Sequence, residues 1–180
     1  MKIGIYEGVD ALVTAVIKKN HKDEINILLS ENFPNLFTSS RPFLQHLFTI
    51  PLPIRDKFTF FVLYGSCGDG EQDVIFDKQI VLAFGMLDRS KYSKITLVNE
   101  YNLSRNDVRP TLKNICRKKG TQWKGVGKHI LRAANNYAKS RGIPSIGLTV
   151  QDENLIGYYE KHGFVLREDI HKKYMINTFS

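Results

Sequence analysis

The segment QWKGVGKHIL at residues 122–131 combines two glycines and two lysines with the start of a helix-forming run. Glycine has no Cβ, so backbone N–H groups beside it stay accessible, and a helix N-terminus adds a partial positive charge. Such a loop can hold a phosphate or pyrophosphate through its main chain, with Lys124 and Lys128 at the rim. The alternative is a plain turn before an amphipathic helix. The spacing matches neither a P-loop nor the dinucleotide-binding fingerprint.

The elements that must position this loop are predicted from the flanking sequence. The apolar residues Val126, Ile130, Ala133, Ala134, Tyr137 and Ala138 share one helical face, and Gly142 ends that helix. A strand at 111–117 precedes the loop, and an alternating strand at 145–150 follows the helix. We expect a short helix at 154–162 that ends at Gly163, and then two terminal strands, FVLRE and KKYMINTF.

The first 110 residues give a more mixed pattern. Residues 2–19 read as two extended runs around a turn at 7–10, which predicts a hairpin. A helix at 23–34 should end at Pro34, and a second short helix is expected at 41–50. Strands are predicted at 58–65, 79–87 and 94–101, with a turn-rich loop at 66–73 and an exposed connection at 104–110. The whole pattern predicts a mixed α/β or α+β domain that spans 1–180.

Composition excludes several classes of protein. The chain has 180 residues, 42% hydrophobic and 24% charged, as expected for one soluble domain with a packed core. No signal peptide is recognisable at the N-terminus, and the most apolar run, 58–65, is too short to span a bilayer. We therefore expect a soluble cytoplasmic protein without a membrane partner. The two cysteines and five histidines have no ligand-type spacing, so no metal site is predicted.

The net charge of +8 favours a polyanionic partner, either a nucleic acid or a phosphate-rich cofactor. The basic residues are spread along the chain, with only short clusters at 117–119 and 172–173. No nucleic-acid recognition motif is present, so a nucleic-acid partner is not expected.

Two motifs together carry a family resemblance. Gln122-x-x-Gly125-x-Gly127 resembles the acetyl-CoA loop of the GNAT superfamily of N-acetyltransferases, and the sequence YEKHGF at 159–164 resembles a second signature of that family. The resemblance is specific over 111–164 and looser over 11–34. It implies a GNAT-like fold, in which a central, mostly antiparallel sheet splays between strands four and five and about four helices flank it.

The resemblance also implies an activity and a set of site residues. The chain would be an acyltransferase that moves an acetyl group from acetyl-CoA to a primary amine, either on a small molecule or on a protein. The amine would attack the thioester directly in a ternary complex, without a metal. Tyr159 would donate a proton to the departing thiolate. Ile115, Cys116 and Arg117 would contact the pantetheine arm, and Asn154 and Tyr159 would lie near the thioester. The pyrophosphate would be held by Gln122, Trp123, Lys124, Gly125, Val126, Gly127 and Lys128.

Three departures from the family pattern bear on this interpretation. Arg117 stands where an aliphatic residue is usual, and Asp152 stands where asparagine is frequent. Residues 111–117 contain no carboxylate to act as base, so Glu100 is the candidate base and a water chain is the alternative. The missing acid also supports a different hypothesis, a domain that binds CoA as a sensor or scaffold without catalysis. The acceptor, and the choice between monomer and homodimer, stay open.

Overall fold

The computed structural model describes residues 1–18, 20–66, 79–90, 109–170 and 173–179. Its helices are α1 (Val9–Lys18), α2 (Lys22–Asn32), α3 (Phe43–Leu47), α4 (Gly127–Ser140) and α5 (Ile156–Glu160). Its strands are β1 (Lys2–Glu7), β2 (Phe58–Ser66), β3 (Gln79–Asp88), β4 (Thr111–Arg117), β5 (Ser145–Thr149), β6 (Val165–Leu166) and β7 (Tyr174–Thr178). Short 3-10 turns cover Leu52–Lys57, Thr121–Trp123 and Glu153–Leu155.

The seven strands form one sheet in the order β1-β2-β3-β4-β5-β7-β6. Neighbouring strands are antiparallel except β4 and β5, which are parallel. Side chains alternate between the two faces of a strand, and β2 shows the consequence. Phe60 and Val62 pack in the core under α1, α2 and α3, whereas Phe61 and Leu63 pack in the core under α4. The expected mixed, mostly antiparallel sheet with flanking helices is confirmed.

The predicted N-terminal hairpin is wrong. A single strand, β1, is followed at once by helix α1. Gly8 has φ +88 and turns the chain between them, a conformation that glycine adopts without strain. Val9, Leu12 and Val16 then follow a helical spacing, and all three are fully buried. The longer apolar run at 9–17 also fits an extended pattern, so the sequence alone did not separate a strand from a helix.

The other predicted elements agree with the structure where it describes them. The strands predicted at 58–65, 79–87, 111–117 and 145–150 are β2 to β5, and the helix predicted at 23–34 is α2. The short helix predicted at 41–50 is α3, which is shorter than expected. The strand predicted at 94–101, most of the loop at 66–73 and residues 104–108 lie outside the described residues.

Candidate functional site

The sheet opens between β4 and β5. These strands are paired in register at Thr111 and Gly147, and the Gly147 amide donates to the Pro110 carbonyl at 2.9 Å. Further along β4 a bulge sets two residues, Asn114 and Ile115, opposite Gly85 of β3. Asn114 has φ +52, a left-handed conformation that asparagine tolerates better than most residues. A bulge bends the strand and increases its twist, so β4 turns away from β5 and leaves a gap.

A cavity of about 870 Å³ lies over this gap. Its sheet side is lined by the ends of β3, β4 and β5, and its opposite side by the α2–α3 region and the 3-10 turn that follows. Tyr159 of α5 lines it as well. Pockets of roughly 300–1,000 Å³ are typical for small-molecule sites. The sheet-side lining consists of Met86, Asp88, Thr111, Leu112, Lys113, Asn114, Ile115, Thr149 and Val150.

Tyr159 is held in place by two aromatic neighbours. Its ring centroid is 6.1 Å from that of Phe164 and 5.4 Å from that of Tyr158, both in edge-to-face geometry. Burial, with a smaller contribution from Tyr158, raises the pKa of the Tyr159 phenol to about 12. The phenol therefore keeps its proton across the neutral range, and it can act as a proton donor in the cavity.

Tyr158 faces a different neighbour, the glycine loop. A Cβ on Gly127 would lie 3.3 Å from the Tyr158 hydroxyl oxygen. Burial raises the pKa of Tyr158, and the charge of Arg117 acts against that rise. Its ring is also 4.9 Å from that of His162. The two adjacent tyrosines thus serve separate regions, with Tyr158 at the loop and Tyr159 in the cavity lining.

The glycine loop presents main-chain donors. The amide groups of Gly125 and Gly127 donate to no backbone carbonyl among the described residues. Helix α4 begins at Gly127 without a side-chain cap from Val126. Gly125 has φ +79, and a Cβ built there would meet no atom within 4 Å. Uncapped N–H groups at a helix start are suited to bind an anion, and the loop has this arrangement.

Cationic side chains surround the loop. Arg117 folds onto the connection that leads into the loop and donates through Nη1 to the carbonyls of Lys118 at 3.0 Å and Gly120 at 3.4 Å. The pKa values of His129 and His162 are lowered, first by burial and then by the charges of Lys128 and Arg132. A positive potential that disfavours imidazolium favours phosphate oxygens at the same place.

The remaining predicted site residues occupy several environments. Ile115 lines the cavity, and Trp123 packs against the core under α4. Cys116 is buried in the core under α1, α2 and α3, and burial raises the pKa of its thiol. The Asn154 side chain donates to Asp152 at 2.9 Å and does not line the cavity. Glu100 lies outside the described residues, so its role as base stays a prediction.

Sequence analysis missed Asp88, a buried carboxylate at the end of β3. It is 1% exposed and lines the cavity, where Lys113 Nζ donates to Oδ2 at 2.9 Å. Ser90 donates to Oδ1 through its amide at 2.9 Å and its hydroxyl at 2.6 Å. Among the described residues that line the cavity, Asp88 is the only carboxylate. Its position directly after the apolar run at 79–87 is the only signal of it in the sequence.

The described ranges contain no group of three or more His, Cys, Asp or Glu side chains that could hold a metal ion. In the same part of the chain, every helix is too short or too polar to cross a membrane.

The model of the Acetyltransferase (GNAT) family matches residues 112–164. That segment runs from β4 through the glycine loop and α4 to Phe164, and it contains both motifs from which the resemblance was predicted. The predicted resemblance is thereby confirmed. A comparison with curated proteins gives no match.

Solved structures of similar fold extend over nearly the whole chain. An N-acetyltransferase from Lactobacillus plantarum, described as putative, is 13% identical with a TM-score of 0.57, and the alignment covers 99% of this chain and 98% of that one. PaiA N-acetyltransferase from Thermoplasma acidophilum, solved in complex with coenzyme A, is 15% identical with a TM-score of 0.54 and coverage of 99% and 100%. Aminoglycoside 6'-N-acetyltransferase from Enterococcus faecium is 14% identical with a TM-score of 0.56 and coverage of 99% and 97%. At these identities the likeness concerns the fold.

Proposed function

We propose that this protein transfers an acetyl group from acetyl-CoA to a primary amine, because residues 112–164 match the model of the GNAT acetyltransferase family and the fold is similar to that of solved N-acetyltransferases. The transfer takes place by direct attack within a ternary complex. The observation that carries the proposal is the gap between β4 and β5, which opens beside a cavity lined by Ile115 and Tyr159.

The residues fit acetyl-CoA along this path. The amides of Gly125 and Gly127 receive the pyrophosphate, and Lys124 and Lys128 add positive charge beside them. Past Thr111 the described parts of β4 and β5 are no longer paired, so the backbone near Ile115 is available to the pantetheine amides. The acetyl end then reaches the part of the cavity that Tyr159 and Asn114 line.

Acetyl-CoA, when bound, supplies an acyl carbon with a good leaving group. The acceptor nitrogen forms the new N–C bond, the C–S bond breaks, and Tyr159 gives its proton to the sulfur. The proton that the nitrogen loses as it becomes an amide then restores the Tyr159 phenol. Because its pKa is about 12, Tyr159 is fully protonated at the pH of the reaction and is ready to donate. The acceptor must first lose its ammonium proton, and Glu100 remains the base predicted from the sequence.

A domain that binds CoA without transferring the acetyl group is the second candidate. It is favoured by one observation, the lack of a carboxylate in β4. The buried carboxylate of Asp88 counts against it, because the cavity does contain an acidic group, on β3 rather than on β4.

The test has two stages. Calorimetric titration with acetyl-CoA should give saturable binding with one site per chain. Thiol release with a panel of primary amines, followed by mass spectrometry of the products, should then show an N-acetylated amine. Binding without transfer to any amine would favour the second candidate, and a lack of binding would contradict both.

A further inference from the structure

The cavity wall that faces the sheet is aromatic and aliphatic. Phe33 and Phe37 follow α2, and Phe43 begins α3. The rings of Phe37 and Phe43 are 5.2 Å apart, and those of Phe33 and Phe37 are 6.5 Å apart, each in edge-to-face contact. Ile50 and Ile54 extend the wall towards the 3-10 turn. We call the side chains at Phe33, Leu36, Phe37, Phe43, Ile50 and Ile54 the apolar wall.

The rings of the apolar wall brace one another and leave a preformed surface. Phe37 is 6% exposed and Phe43 is 1% exposed, and Phe43 also contacts Phe84 of β3 at 5.1 Å. Phe33, Ile50 and Ile54 are half-buried, so part of each side chain faces the cavity. A ligand body that is itself apolar would gain by covering this surface, because water leaves both partners.

The charges in the lining are sparse and nearly balanced. Asp88 is the one carboxylate that the described residues contribute, and Lys113 already pairs with it at 2.9 Å. Lys173 also lines the cavity and lies 3.6 Å from Glu153. A ligand with several positive charges would meet two lysines and a single, shared carboxylate. Like charges at short range in a partly buried site are unfavourable.

Resting on the proposed function, we propose that the acceptor is a primary amine with one positive charge and an aromatic or branched aliphatic body. The body packs against the apolar wall, and the amine points towards the polar end of the cavity at Asp88 and Asn114. The wall selects the body through burial of apolar surface, and the single carboxylate among the described lining residues limits the charge.

The first experiment compares acceptors with the intact chain and saturating acetyl-CoA. Initial rates of thiol release are measured with 2-phenylethylamine, which carries one charge and an aromatic ring, and with spermidine, which carries three charges and no ring. We expect kcat/KM to be at least about tenfold higher for 2-phenylethylamine, within the range that an apolar pocket can discriminate.

The second experiment places a carboxylate on the apolar wall. Leu36 lines the cavity at 57% exposure, so Leu36→Glu changes the wall without burying a charge in the core. Ile27 of α2 is 55% exposed and does not line the cavity, so Ile27→Glu is the matched control. Leu36→Glu should raise KM for 2-phenylethylamine about tenfold, and Ile27→Glu should leave it unchanged. Both variants should bind acetyl-CoA as the original chain does.

Three results would contradict the inference, and they differ from one another. A preference for spermidine would overturn the acceptor class and leave acetyl transfer intact. A preference for octanoyl-CoA over acetyl-CoA, lost in Leu36→Glu, would assign the apolar wall to the acyl group instead. Binding of acetyl-CoA without transfer to either amine would overturn the proposed function, and the inference would fall with it.

Discussion

The two regions proposed to hold the ligands, the glycine loop and the cavity, offer different kinds of groups. On the side of the glycine loop, the available groups are the backbone amides of Gly125 and Gly127, near lysine and arginine charges. On the side of the apolar wall, the available groups are side chains such as Phe37 and Ile50. Backbone donors are the same in every protein, so a loop of this kind can serve any relative that uses the same cofactor. A wall of side chains changes with each substitution, so acceptor choice can differ between relatives of one fold.

This difference explains which part of the chain the family model covers. The match includes β4, the glycine loop, α4 and α5, and it excludes the apolar wall. A glycine with φ +79 and a helix start are constraints on residue type that a pattern can describe. The apolar wall needs only residues that are hydrophobic and of suitable size, which many sequences satisfy.

The comparison can be tested first at Tyr159, which lines the cavity and follows Tyr158 at the glycine loop. Tyr159→Phe removes the proton donor but keeps the ring contacts with Phe164 and Tyr158. We expect kcat to fall by about 100-fold or more, as is usual for loss of a general acid, with acetyl-CoA affinity little changed. Tyr158→Phe, on the loop side, should lower kcat much less. If Tyr159→Phe and the original chain have equal kcat at saturating acceptor, Tyr159 is not the general acid.

The loop side can be disrupted by adding a single methyl group. Gly125→Ala puts an L residue at φ +79, and Gly127→Ala fills space between the loop and Tyr158. Each should weaken acetyl-CoA binding at least about tenfold, or about 1.4 kcal/mol, as measured by calorimetric titration. Gly142→Ala is the control, because Gly142 has φ +64 in open space at the far end of α4. It should cost stability of about 1 kcal/mol, as left-handed alanine does, and leave binding intact. Unchanged affinity for acetyl-CoA in folded Gly125→Ala and Gly127→Ala proteins would mean that the loop is a plain turn without a role in binding.

Salt should separate the two sides. The lysines at 124 and 128 and the helix start attract a multiply charged ligand, and such attraction is screened at higher ionic strength. The dissociation constant of acetyl-CoA should therefore rise several-fold between about 0.05 M and about 0.5 M salt. The KM of an apolar, singly charged amine should change by less than about twofold, because apolar burial is little screened. An equal response of both ligands would mean that the sides are not chemically distinct.

The smallest effect is expected in the basic part of the pH profile. Burial raises the pKa of Tyr159 to about 12, so the protonated, donating form persists well above the ordinary tyrosine value. From about pH 8 to about pH 10, kcat should not fall, because a general acid loses activity only as the pH approaches its own pKa. A decline centred near pH 8 that Tyr159→Phe abolishes would contradict the raised pKa and its cause.

Much of the catalytic half of the fold was predictable from sequence. The strand at 111–117, the glycine loop and the helix that follows are defined by short-range patterns, and each is found where it was expected. The hairpin predicted near residue 8 failed because the apolar run at 9–17 is dense enough to fit two patterns. Its odd-numbered positions are all apolar, as in a strand, but the buried residues Val9, Leu12 and Val16 follow a helical spacing. The bulge at Asn114 could not be predicted from the local sequence, because it depends on how β4 pairs with Gly85 of β3.

The sequence by itself determined the cofactor side, because the requirements there are local. Gly125 and Gly127 at the mouth of a helix, followed by YEKHGF, specify backbone conformations within a few residues of each motif. Only the tertiary structure decided what stands opposite. Asp88, Phe37 and Tyr159 are far apart in the chain, yet they line one cavity. Sheet order and helix packing produce that meeting, and no spacing along the chain encodes it.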